Sequence, residues 1–514
     1  MSKVPSQSGV HPWAAGEWPE FLTLNNDLST DVLVIGAGIA GLTTAYQLAK
    51  NGTRVVVIDA SQPGDGETGN TSAHLSSALD EHFQELEGMF GEDGSRLAAK
   101  SHRYAIDAIQ AICEQEGIDC QFERVNGYLF ASSEKDNNLI RKEFEAASRA
   151  GFTGLTMDSK TPFAGFFDAL TLTFPQQAQF QPLLYLQGLT RALKKMSVPI
   201  YTYCEAVEFV GGEALKIHTA DKHEITARDV VVATNTPMNN RFAIHTKQGP
   251  YRTYVCEFAM DRGAIPKGLY WDSEDPYHYI RTQEVNDHQS VLIVGGEDHK
   301  VGQDDKAEDR WEKLQAWTRK NIPQAGALVK KWSGQVNEPN DGLAFIGRNP
   351  GDDHVYIVTG DSGHGLTHGT IAGFLITDLI AGRDNPWEKL YSPSRVNRHT
   401  ESMKEFFKEN VNVALQYKDY FTPGDVSKLD DIAMGEGAVV RHGLRKIAAY
   451  RDHNNQLHCN SAVCPHLGGI VHWNGAEKTW DCPCHGSRFD IEGHVVNGPS
   501  VSGLKPAFEI KNLK

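Results

Sequence analysis

Two stretches of the chain combine short apolar runs with glycine turns and a helical spacing of apolar residues. In the first stretch, an apolar run at 32–35 is followed by a glycine-rich turn, a helical pattern at 42–50 and a second apolar run at 54–59. A short apolar run that is bounded by turn residues is typical of a buried strand. The pattern therefore predicts one strand–helix–strand unit of about thirty residues.

The second stretch predicts a strand over 355–359, a glycine turn and a helix that runs to about residue 381. Between the two stretches, residues 80–150 have a charged, helical pattern. Residues 170–345 mix strand-like runs, as at 230–233 and 291–294, with helical patterns such as 306–320. After a polar helical pattern at 401–420, the chain changes to short strand-like runs separated by Gly and Asn turns. This last region predicts a small all-β module.

The length of 514 residues exceeds what one hydrophobic core usually holds, so several domains are expected. We predict a leader over residues 1–30 and a main domain over 31–400. A linker over 401–425 and the all-β module over 426–514 follow. Within the main domain, parts at about 31–80 and 340–390 carry the glycine turns, and about 81–340 forms a second part between them. The linker is compatible with a docked or a swinging module.

Composition narrows the possible partners and compartments. A formal net charge of −16 argues against nucleic acid and anionic membranes as partners. No run of eighteen apolar residues suggests a membrane span, and the N-terminal sequence lacks the form of a secretory signal, so a cytoplasmic protein is expected. Four of the eight cysteines lie within 459–484. Such clustering in a large cytosolic chain points to a metal rather than to disulfides.

A dinucleotide fingerprint lies between the first predicted strand and helix. Gly36 would allow the tight turn, Gly38 would let the backbone approach a pyrophosphate, and Gly41 would let helix and strand pack closely. The helix N-terminus supplies a positive dipole for phosphates. Asp59, at the end of the second predicted strand, would accept hydrogen bonds from ribose hydroxyls.

Three segments resemble the D-amino-acid oxidase-like family of FAD oxidoreductases, which includes glycine and sarcosine oxidases. They are VIGAGIAGLTTAYQLAKNGTRVVVIDA with GDGETGNTSAHLS, then DGLAFIGR, then VTGDSGHGLTHGTIAGFLITDLIAG. The resemblance implies an FAD, expected to be non-covalent. His74 lies near the position at which some relatives attach the flavin but does not match that position. It places these residues at the cofactor: Ala60, Thr71, Ser72 and His74, then Gly363, His364, Gly365, Leu366 and Thr367. The helix after Gly363 would point its N-terminus at the flavin and stabilise the anionic reduced form.

The cysteine cluster resembles the motif of Rieske iron–sulfur proteins. Cys464-x-His466 is followed after fifteen residues by Cys482-x-x-His485. The resemblance implies a [2Fe–2S] cluster in which the two Cys bind one iron and the two His bind the other. A zinc site is the alternative, although zinc sites usually pair two C-x-x-C-like halves.

Two departures from the respiratory Rieske pattern stand out. Relatives in respiratory complexes carry one extra Cys in each ligand loop, and these two form a disulfide. Here Cys484 occupies one position and Gly469 the other, so Cys484 is expected to be a free thiol. Phe489 replaces a tyrosine that donates a hydrogen bond toward a ligand sulfur, while Ser487 is kept. Fewer such bonds imply a lower reduction potential than that of the respiratory type.

Together, the two resemblances imply an α/β Rossmann-like FAD-binding domain with an interleaved mixed-sheet substrate domain, followed by a small all-β Rieske domain. The expected function is oxidation of an amine or amino acid, with electrons passed singly to an external acceptor, a protein or a quinone. An electron-transfer reductase that serves a separate oxygenase, or an O2-using oxidase with a peripheral cluster, stays open. Arg281 would hold a substrate carboxylate and His364 would orient substrate. Arg252 and Arg348 are weaker candidates for carboxylate binding.

Overall fold

The computed structural model describes Trp13 and residues 16–162, 169–211, 214–238, 244–303, 307–397 and 399–507. Residues 1–12, 14 and 15 of the predicted leader, and the last residues of the chain, 508–514, lie outside the described residues. The described part of the leader runs along the main domain, where Leu22 bridges to Tyr201, and the first strand already begins at Leu28.

The strands fall into four sheets. In chain order they are β1 (Leu28–Ile35), β2 (Val55–Ile58), β3 (His74–Leu75), β4 (Glu123–Phe130), β5 (Thr156–Asp158), β6 (Thr171–Gln179), β7 (Ile200–Tyr201), β8 (Ala206–Val210), β9 (Leu215–Thr219), β10 (Glu224–Val232), β11 (Gln248–Asp261), β12 (Leu269–Asp272), β13 (His278–Glu284), β14 (Gln289–Lys300), β15 (Leu328–Pro339), β16 (Phe345–Arg348), β17 (Val355–Thr359), β18 (Glu436–His442), β19 (Arg445–Arg451), β20 (Leu457–Ser461), β21 (His472–Asn474), β22 (Thr479–Asp481), β23 (Arg488–Phe489) and β24 (Val495–Asn497).

The helices pack on the two large sheets or join the domains. They are α1 (Ile39–Lys50), α2 (Glu67–Asn70), α3 (Phe83–Glu116), α4 (Asn137–Arg149), α5 (Pro182–Lys195), α6 (Ala307–Asn321), α7 (Gly365–Ile380), α8 (Glu388–Tyr391) and α9 (Thr400–Gln416). Within the described residues, no helix is long and apolar enough to cross a membrane.

The first sheet has the order β16-β17-β10-β1-β2-β7, with β8 and β9 attached through β10. Its central strands β17, β10, β1, β2 and β7 are parallel, and β16 runs antiparallel at the edge. The central parts of the parallel strands, such as residues 32–35 of β1 and all of β2, are apolar and buried, as is usual for parallel sheets with both faces covered. This is the predicted Rossmann-like layer.

The second sheet has the order β15-β11-β14-β13-β12-β4-β6-β3, with β5 attached to β6. It is mixed, since β12 and β4 pair in parallel and the other neighbours pair antiparallel. The helical pattern predicted across residues 80–150 is correct for α3 and α4 but wrong for β4. In β4, buried and exposed positions alternate only in part, so its sequence pattern does not identify a strand. The strand forms because it pairs with β6 and β12.

The C-terminal domain contains two small sheets, β18-β19-β20 and β21-β22-β23-β24, around its own apolar core. The helix predicted over 401–420 is present as α9. The strands β19 and β20 form a hairpin, with His453 in its turn and His458 in β20.

Candidate functional site

The glycine turn after β1 has the geometry that a nucleotide cradle requires. Gly36 has a positive φ of 108°, and a Cβ there would lie 2.4 Å from the Ala233 carbonyl oxygen. A Cβ on Gly41 would lie 1.8 Å from the Gly36 carbonyl oxygen. Both positions therefore require glycine, the first for its backbone conformation and the second for close packing of helix on strand.

The N-terminus of α1 begins at this turn, with Gly38 as its N-cap, and is ringed by groups suited to a dinucleotide. The Thr68 hydroxyl oxygen accepts a hydrogen bond from the Ile39 amide at 3.2 Å. Asp59 accepts from the amides of Ala37 at 2.6 Å and Ser61 at 2.8 Å, so this carboxylate holds the glycine turn. Ala60, beside it, is exposed. The amide-rich helix end and the adjacent acid fit the phosphates and ribose of FAD.

Helix α7 brings a second helix N-terminus to the same region. Its glycines lie against α1: a Cβ on Gly369 would be 2.9 Å from Ile39 Cγ2, and one on Gly373 would be 2.5 Å from Thr43 Cγ2. This close crossing fixes the start of α7, the predicted flavin segment, beside the nucleotide turn. Gly363, with a φ of 70°, is enclosed by Asp80, since a Cβ there would lie 2.5 Å from Asp80 Oδ2.

The predicted flavin loop over residues 71–75 is anchored to the second sheet. Ser72 Oγ lies 3.0 Å from His74 Nδ1, and His74 Nε2 lies 3.3 Å from the Ile280 carbonyl oxygen. Burial, followed by the nearby charge of Arg281, lowers the pKa of His74 to about 3, so this ring is neutral. The Thr71 hydroxyl accepts a hydrogen bond from the Ala73 amide.

Arg281 lies wholly buried directly beneath this loop. Its Nη1 donates to the carbonyl oxygens of Ala73 at 2.7 Å, Phe180 at 3.3 Å and Ser72 at 3.4 Å, and its Nη2 donates to Gln283. The guanidinium is thus engaged by the protein's own acceptors, which argues against the predicted role in carboxylate binding. Arg281 instead clamps the flavin loop onto β13.

His364, the other candidate for contact with substrate, lies within a set of polar side chains at the start of α7. Its Nε2 is 3.2 Å from both the Asp80 amide nitrogen and Asp80 Oδ1. Tyr277 donates a hydrogen bond to Asp80 Oδ2 at 2.8 Å. Burial raises the pKa of Asp80, but the His364 charge and the two hydrogen bonds outweigh it, so the pKa is lowered and Asp80 is ionised.

Three more carboxyl groups surround this set. Asp361 lies within the third family-like segment, but no sequence motif pointed to Asp298 or Glu338. Burial raises the pKa of Asp298 to about 7 and that of Asp361 to about 7. Burial and the neighbouring Glu81 raise the pKa of Glu338 well above its usual range. Asp298 lies in a β-bulge of β14, opposite Thr253 of β11. Bulges often re-aim a side chain beside a functional site, but a bulge has no clear sequence signal.

Behind His364, two wholly buried histidines form a pair. His102 Nε2 lies 3.2 Å from His368 Nε2, and His368 Nδ1 lies 3.0 Å from the Asp361 carbonyl oxygen. His102 Nδ1 lies 2.8 Å from the hydroxyl of Thr367. Burial lowers the pKa of both rings, that of His368 to about 3. Neither of these two rings therefore adds a positive charge at the start of α7, where the helix dipole is itself positive.

The Rieske-type loops bring the four predicted ligands together. Each loop closes on a glycine with positive φ, Gly468 at 81° and Gly486 at 78°. Their amides donate to the carbonyl oxygens of the ligand cysteines, Gly468 to Cys464 and Gly486 to Cys482. The rings of His466 and His485 lie with centroids 5.0 Å apart. Two buried thiols and two adjacent imidazoles are the donor set that a Rieske cluster requires.

The position of Cys484 agrees with the predicted departure from respiratory relatives. A Cβ on Gly469 would lie 2.6 Å from Cys484 Sγ, so glycine stands where the second disulfide cysteine would be. All eight cysteines lie in the described part of the chain, and none of them is in a disulfide. Ser487 and Phe489 are fully buried under the cluster loops, and Ser487 Oγ accepts from the Ser500 amide at 3.0 Å.

The Rieske-type domain is docked on the main domain through buried contacts. Arg252, a weaker candidate for substrate binding, pairs with Glu477 of the C-terminal domain at 2.5 Å and also contacts Ser333. Asn497 donates to Glu67 of the flavin-side helix α2 at 2.9 Å. Arg348 lies elsewhere, in a partly exposed pair with Glu388. Arg252 is therefore an interdomain group in this structure.

The linker helix α9 is held at its middle and just beyond its C-terminal end. Buried Glu409 pairs with Lys300 at 2.5 Å and accepts a hydrogen bond from Tyr251. After the helix, Tyr417 and Tyr420 donate to the carbonyl oxygens of Leu467 and Gly468, at 2.6 and 2.7 Å. The segment thus connects the main domain to the first ligand loop in a docked arrangement.

Comparison with known proteins identifies both halves of the chain. A family model described as FAD dependent oxidoreductase matches residues 31–379, and one described as Rieske [2Fe-2S] domain matches residues 422–508. The chain is 32% identical over 491 residues to a Bacillus subtilis protein, YhfW, which is described as a Rieske 2Fe-2S iron-sulfur protein, with 95% of each chain covered. It is 24% identical to the gamma-glutamylputrescine oxidoreductase of Escherichia coli over 73% of this chain and 89% of that protein. The glycine oxidase structure from Geobacillus kaustophilus superposes with a TM-score of 0.61 at 17% identity, covering 72% of this chain and 99% of that one.

The fold and the two sites define a flavin-dependent oxidoreductase joined to an iron–sulfur domain. The chain belongs to the FAD-dependent oxidoreductase family of the D-amino-acid oxidase type and carries a C-terminal Rieske [2Fe–2S] domain. The predicted fold class, enzyme class and both cofactors are confirmed. The domain boundaries and the individual site residues stay predictions.

Proposed function

We propose that the protein is an amine dehydrogenase that oxidises a cationic amine and passes the electrons singly, through its Rieske domain, to an external one-electron acceptor. The observation that carries the proposal is the docking of the cluster-ligand loops on the flavin-binding domain, where His466 and His485 pack against His245. The Arg252–Glu477 pair joins the same two domains. When bound, FAD takes a hydride and the cluster carries one electron at a time.

The reaction balances without oxygen. The cationic amine first releases one proton to water. The neutral amine that results loses a hydride from the carbon next to nitrogen and a second proton from nitrogen, which leaves an imine. Water hydrolyses the imine to a carbonyl compound and releases ammonia or a smaller amine. The two electrons leave through two one-electron transfers to the acceptor, a protein or a quinone.

The charges around His364 support an amine rather than a carboxylate as the group that is recognised. Asp80 is ionised, and Asp298 has a pKa of about 7, so part of it is ionised near neutral pH. Asp298 Oδ1 is buried and has no hydrogen-bond partner among the described residues. Arg281, which lies beneath the flavin loop, is already engaged by main-chain carbonyl groups. A cationic nitrogen would be attracted to this region, whereas a substrate carboxylate would be repelled.

His364, Asp80 and Tyr277 would shape the wall beside the flavin segment. The chain of contacts from Tyr277 to Asp80 to His364 fixes the imidazole at the start of α7. In this role His364 orients the substrate, and Asp80 maintains the negative potential that attracts the cation. Burial in the domain excludes water from the carbon that loses the hydride.

The test is an anaerobic titration of the holoprotein with primary, secondary and N-methylated amines and with the corresponding amino acids. Flavin bleaching is followed optically, and the reduced cluster is followed by EPR. We expect an amine without a carboxylate to bleach the flavin, after which the cluster signal grows. Asp298→Asn should raise the KM for that amine about tenfold, as loss of one charged contact does. The exposed Asp287→Asn is the matched control and should behave as wild type.

Other results would point to the alternative functions. Bleaching by amino acids alone would overturn the cationic-amine assignment. If no amine or amino acid reduces the flavin while dithionite reduces both centres, an electron-transfer reductase that serves a separate oxygenase becomes the better assignment. Stoichiometric hydrogen peroxide in air, with a cluster that stays oxidised, would identify an oxidase.

A further inference from the structure

One side chain of the flavin-binding domain packs against both predicted histidine ligands of the cluster. The ring of His245 lies with its centroid 4.9 Å from the His466 ring, at 76°, and 5.9 Å from the His485 ring, at 67°. His245 is 4% exposed, and His466 and His485 are partly buried, so the three rings form one contact across the domain boundary. Edge-to-face packing at these separations is favourable for aromatic rings.

The chain continues from His245 directly toward the flavin segment. His245 begins a short 3-10 turn that ends at Lys247 and leads into β11. At Gln248, the side-chain Nε2 donates to Thr359 Oγ1 at 3.0 Å, at the end of β17. Thr359 is followed by Gly360 and then by Asp361, whose side chain accepts from the Asn337 amide at 2.9 Å. A short path of covalent and hydrogen bonds therefore joins His245 to the loop that precedes α7.

Several contacts keep this face closed. A Cβ on Gly486 would lie 2.5 Å from Pro250 Cβ, and a Cβ on Gly302 would lie 2.8 Å from the Asp481 carbonyl oxygen. Both glycines have a positive φ. Gly486 lets the Rieske domain approach the Pro250 side chain, and Gly302 lets the flavin-binding domain approach the backbone at Asp481. The Arg252–Glu477 ion pair and the contacts of α9 hold the same interface. Together, these contacts keep the His466 and His485 rings against the flavin-binding domain.

We propose that His245 is the positioning residue that couples the two redox sites, by holding the imidazoles of His466 and His485 in a fixed dock against the flavin-binding domain. The histidine edge of the cluster is then the edge at which electrons enter, and the Rieske domain does not swing between partners. This inference rests on the proposed electron route. Each transfer reduces one iron from Fe(III) to Fe(II) and removes one electron from the reduced flavin, so two transfers and two external acceptor reductions complete one turnover.

The test is laser-flash photoreduction of the full-length holoprotein by 5-deazariboflavin and EDTA without oxygen, which needs no amine substrate. The absorbance changes of the flavin and the cluster give the rate at which electrons pass between them. Transfer within one molecule is the phase whose rate does not depend on protein concentration. We expect His245→Ala to slow this phase about tenfold and to shift the EPR g-values of the dithionite-reduced cluster, with flavin and iron contents unchanged. His245→Phe keeps an aromatic ring in place and should restore most of the rate. The exposed His288→Ala is the control in the same domain and should match wild type.

The outcomes separate this inference from the proposed function. A wild-type rate and wild-type EPR spectrum in His245→Ala would overturn the positioning role while leaving the electron route intact. A His245→Phe variant as slow as His245→Ala would equally overturn the role of ring packing. If the wild-type protein itself shows no concentration-independent transfer, the proposed electron route fails, and this inference fails with it.

Discussion

Arg252 and Glu477 form an ion pair at 2.5 Å across the boundary between the flavin-binding and Rieske domains, and their side chains are 3% and 14% exposed. Burial raises the pKa of Glu477, but Arg252, Arg488 and the Ser333 hydrogen bond outweigh it and hold the pKa at about 2. A buried pair of this kind adds little net stability compared with an apolar contact, but breaking it is costly. It therefore fixes the docked geometry more than it strengthens the fold.

Glu477→Gln should destabilise the docked protein by about 3–5 kcal/mol, because it leaves Arg252 buried without a charged partner. Urea unfolding measures this loss. The partly exposed Glu436→Gln, which removes the pair with Lys478, should cost below about 1 kcal/mol. Equal effects of the two substitutions would contradict the interface role.

The same pair also has a defined pH dependence. The folded-state pKa of about 2 lies below the ordinary value of 4.5, so the stabilisation is complete above pH 4.5 and disappears as the pH falls toward 2. The difference in unfolding free energy between wild type and Glu477→Gln should therefore shrink across this window. A difference that stays constant down to pH 2 would show that the carboxylate charge is not its source.

Cys464→Ser should abolish the cluster, because a ligand thiolate is lost, whereas Cys484→Ser should keep it. Iron content and the EPR spectrum of the reduced protein distinguish the two variants. The flavin content should be unchanged in both, since the cradle lies in the other domain. Loss of iron from Cys484→Ser would show that Cys484 contributes to ligation.

Gly469→Cys should form a disulfide with Cys484, since a Cβ at 469 already lies against the Cys484 sulfur. After a small rotation of Cys484, the two sulfurs reach bonding distance. Intact-mass measurement should show the loss of two hydrogen atoms, and thiol titration should show two fewer free thiols than in the reduced variant. A mass equal to that of the reduced variant would contradict this geometry.

Gly41→Ala should lose FAD, because the new methyl group would meet the Gly36 carbonyl oxygen at 1.8 Å and push α1 away from β1. The flavin-to-protein ratio after purification measures the loss. Gly211→Ala, where a Cβ meets nothing within 4 Å, is the matched control and should retain flavin. Retention of full flavin by Gly41→Ala would exclude this turn as the cradle.

Asp298→Asn should stabilise the protein at alkaline pH. The folded-state pKa of about 7 exceeds the ordinary 3.8, so the folded chain keeps a proton that the unfolded chain releases between these values. Wild-type stability therefore falls as the pH rises through this window, by about 2–4 kcal/mol in all. Thermal unfolding of both proteins from pH 4 to 8 checks this: the variant's advantage should grow with pH, and a constant offset would contradict the assignment.

The sequence by itself determined the two cofactor sites. At Gly36, Gly41 and the four cluster ligands, the chemistry depends on residue type and short spacing within one turn or loop. For that reason the motifs identified the cradle and the cluster. The strand–helix–strand unit and the helices α6, α7 and α9 were predicted for the same reason, since their apolar spacing is a local property.

Only the tertiary structure decided how the sites relate to one another. Arg252 and Arg281 are of the residue type that binds a substrate carboxylate. In the structure, however, the guanidinium group of Arg252 binds Glu477, and that of Arg281 binds the flavin loop. Asp298 gains its position from a β-bulge, and His245 gains its position from the approach of a domain more than two hundred residues away in sequence. Burial and long-range packing set these roles, and neither is encoded in the spacing of nearby residues.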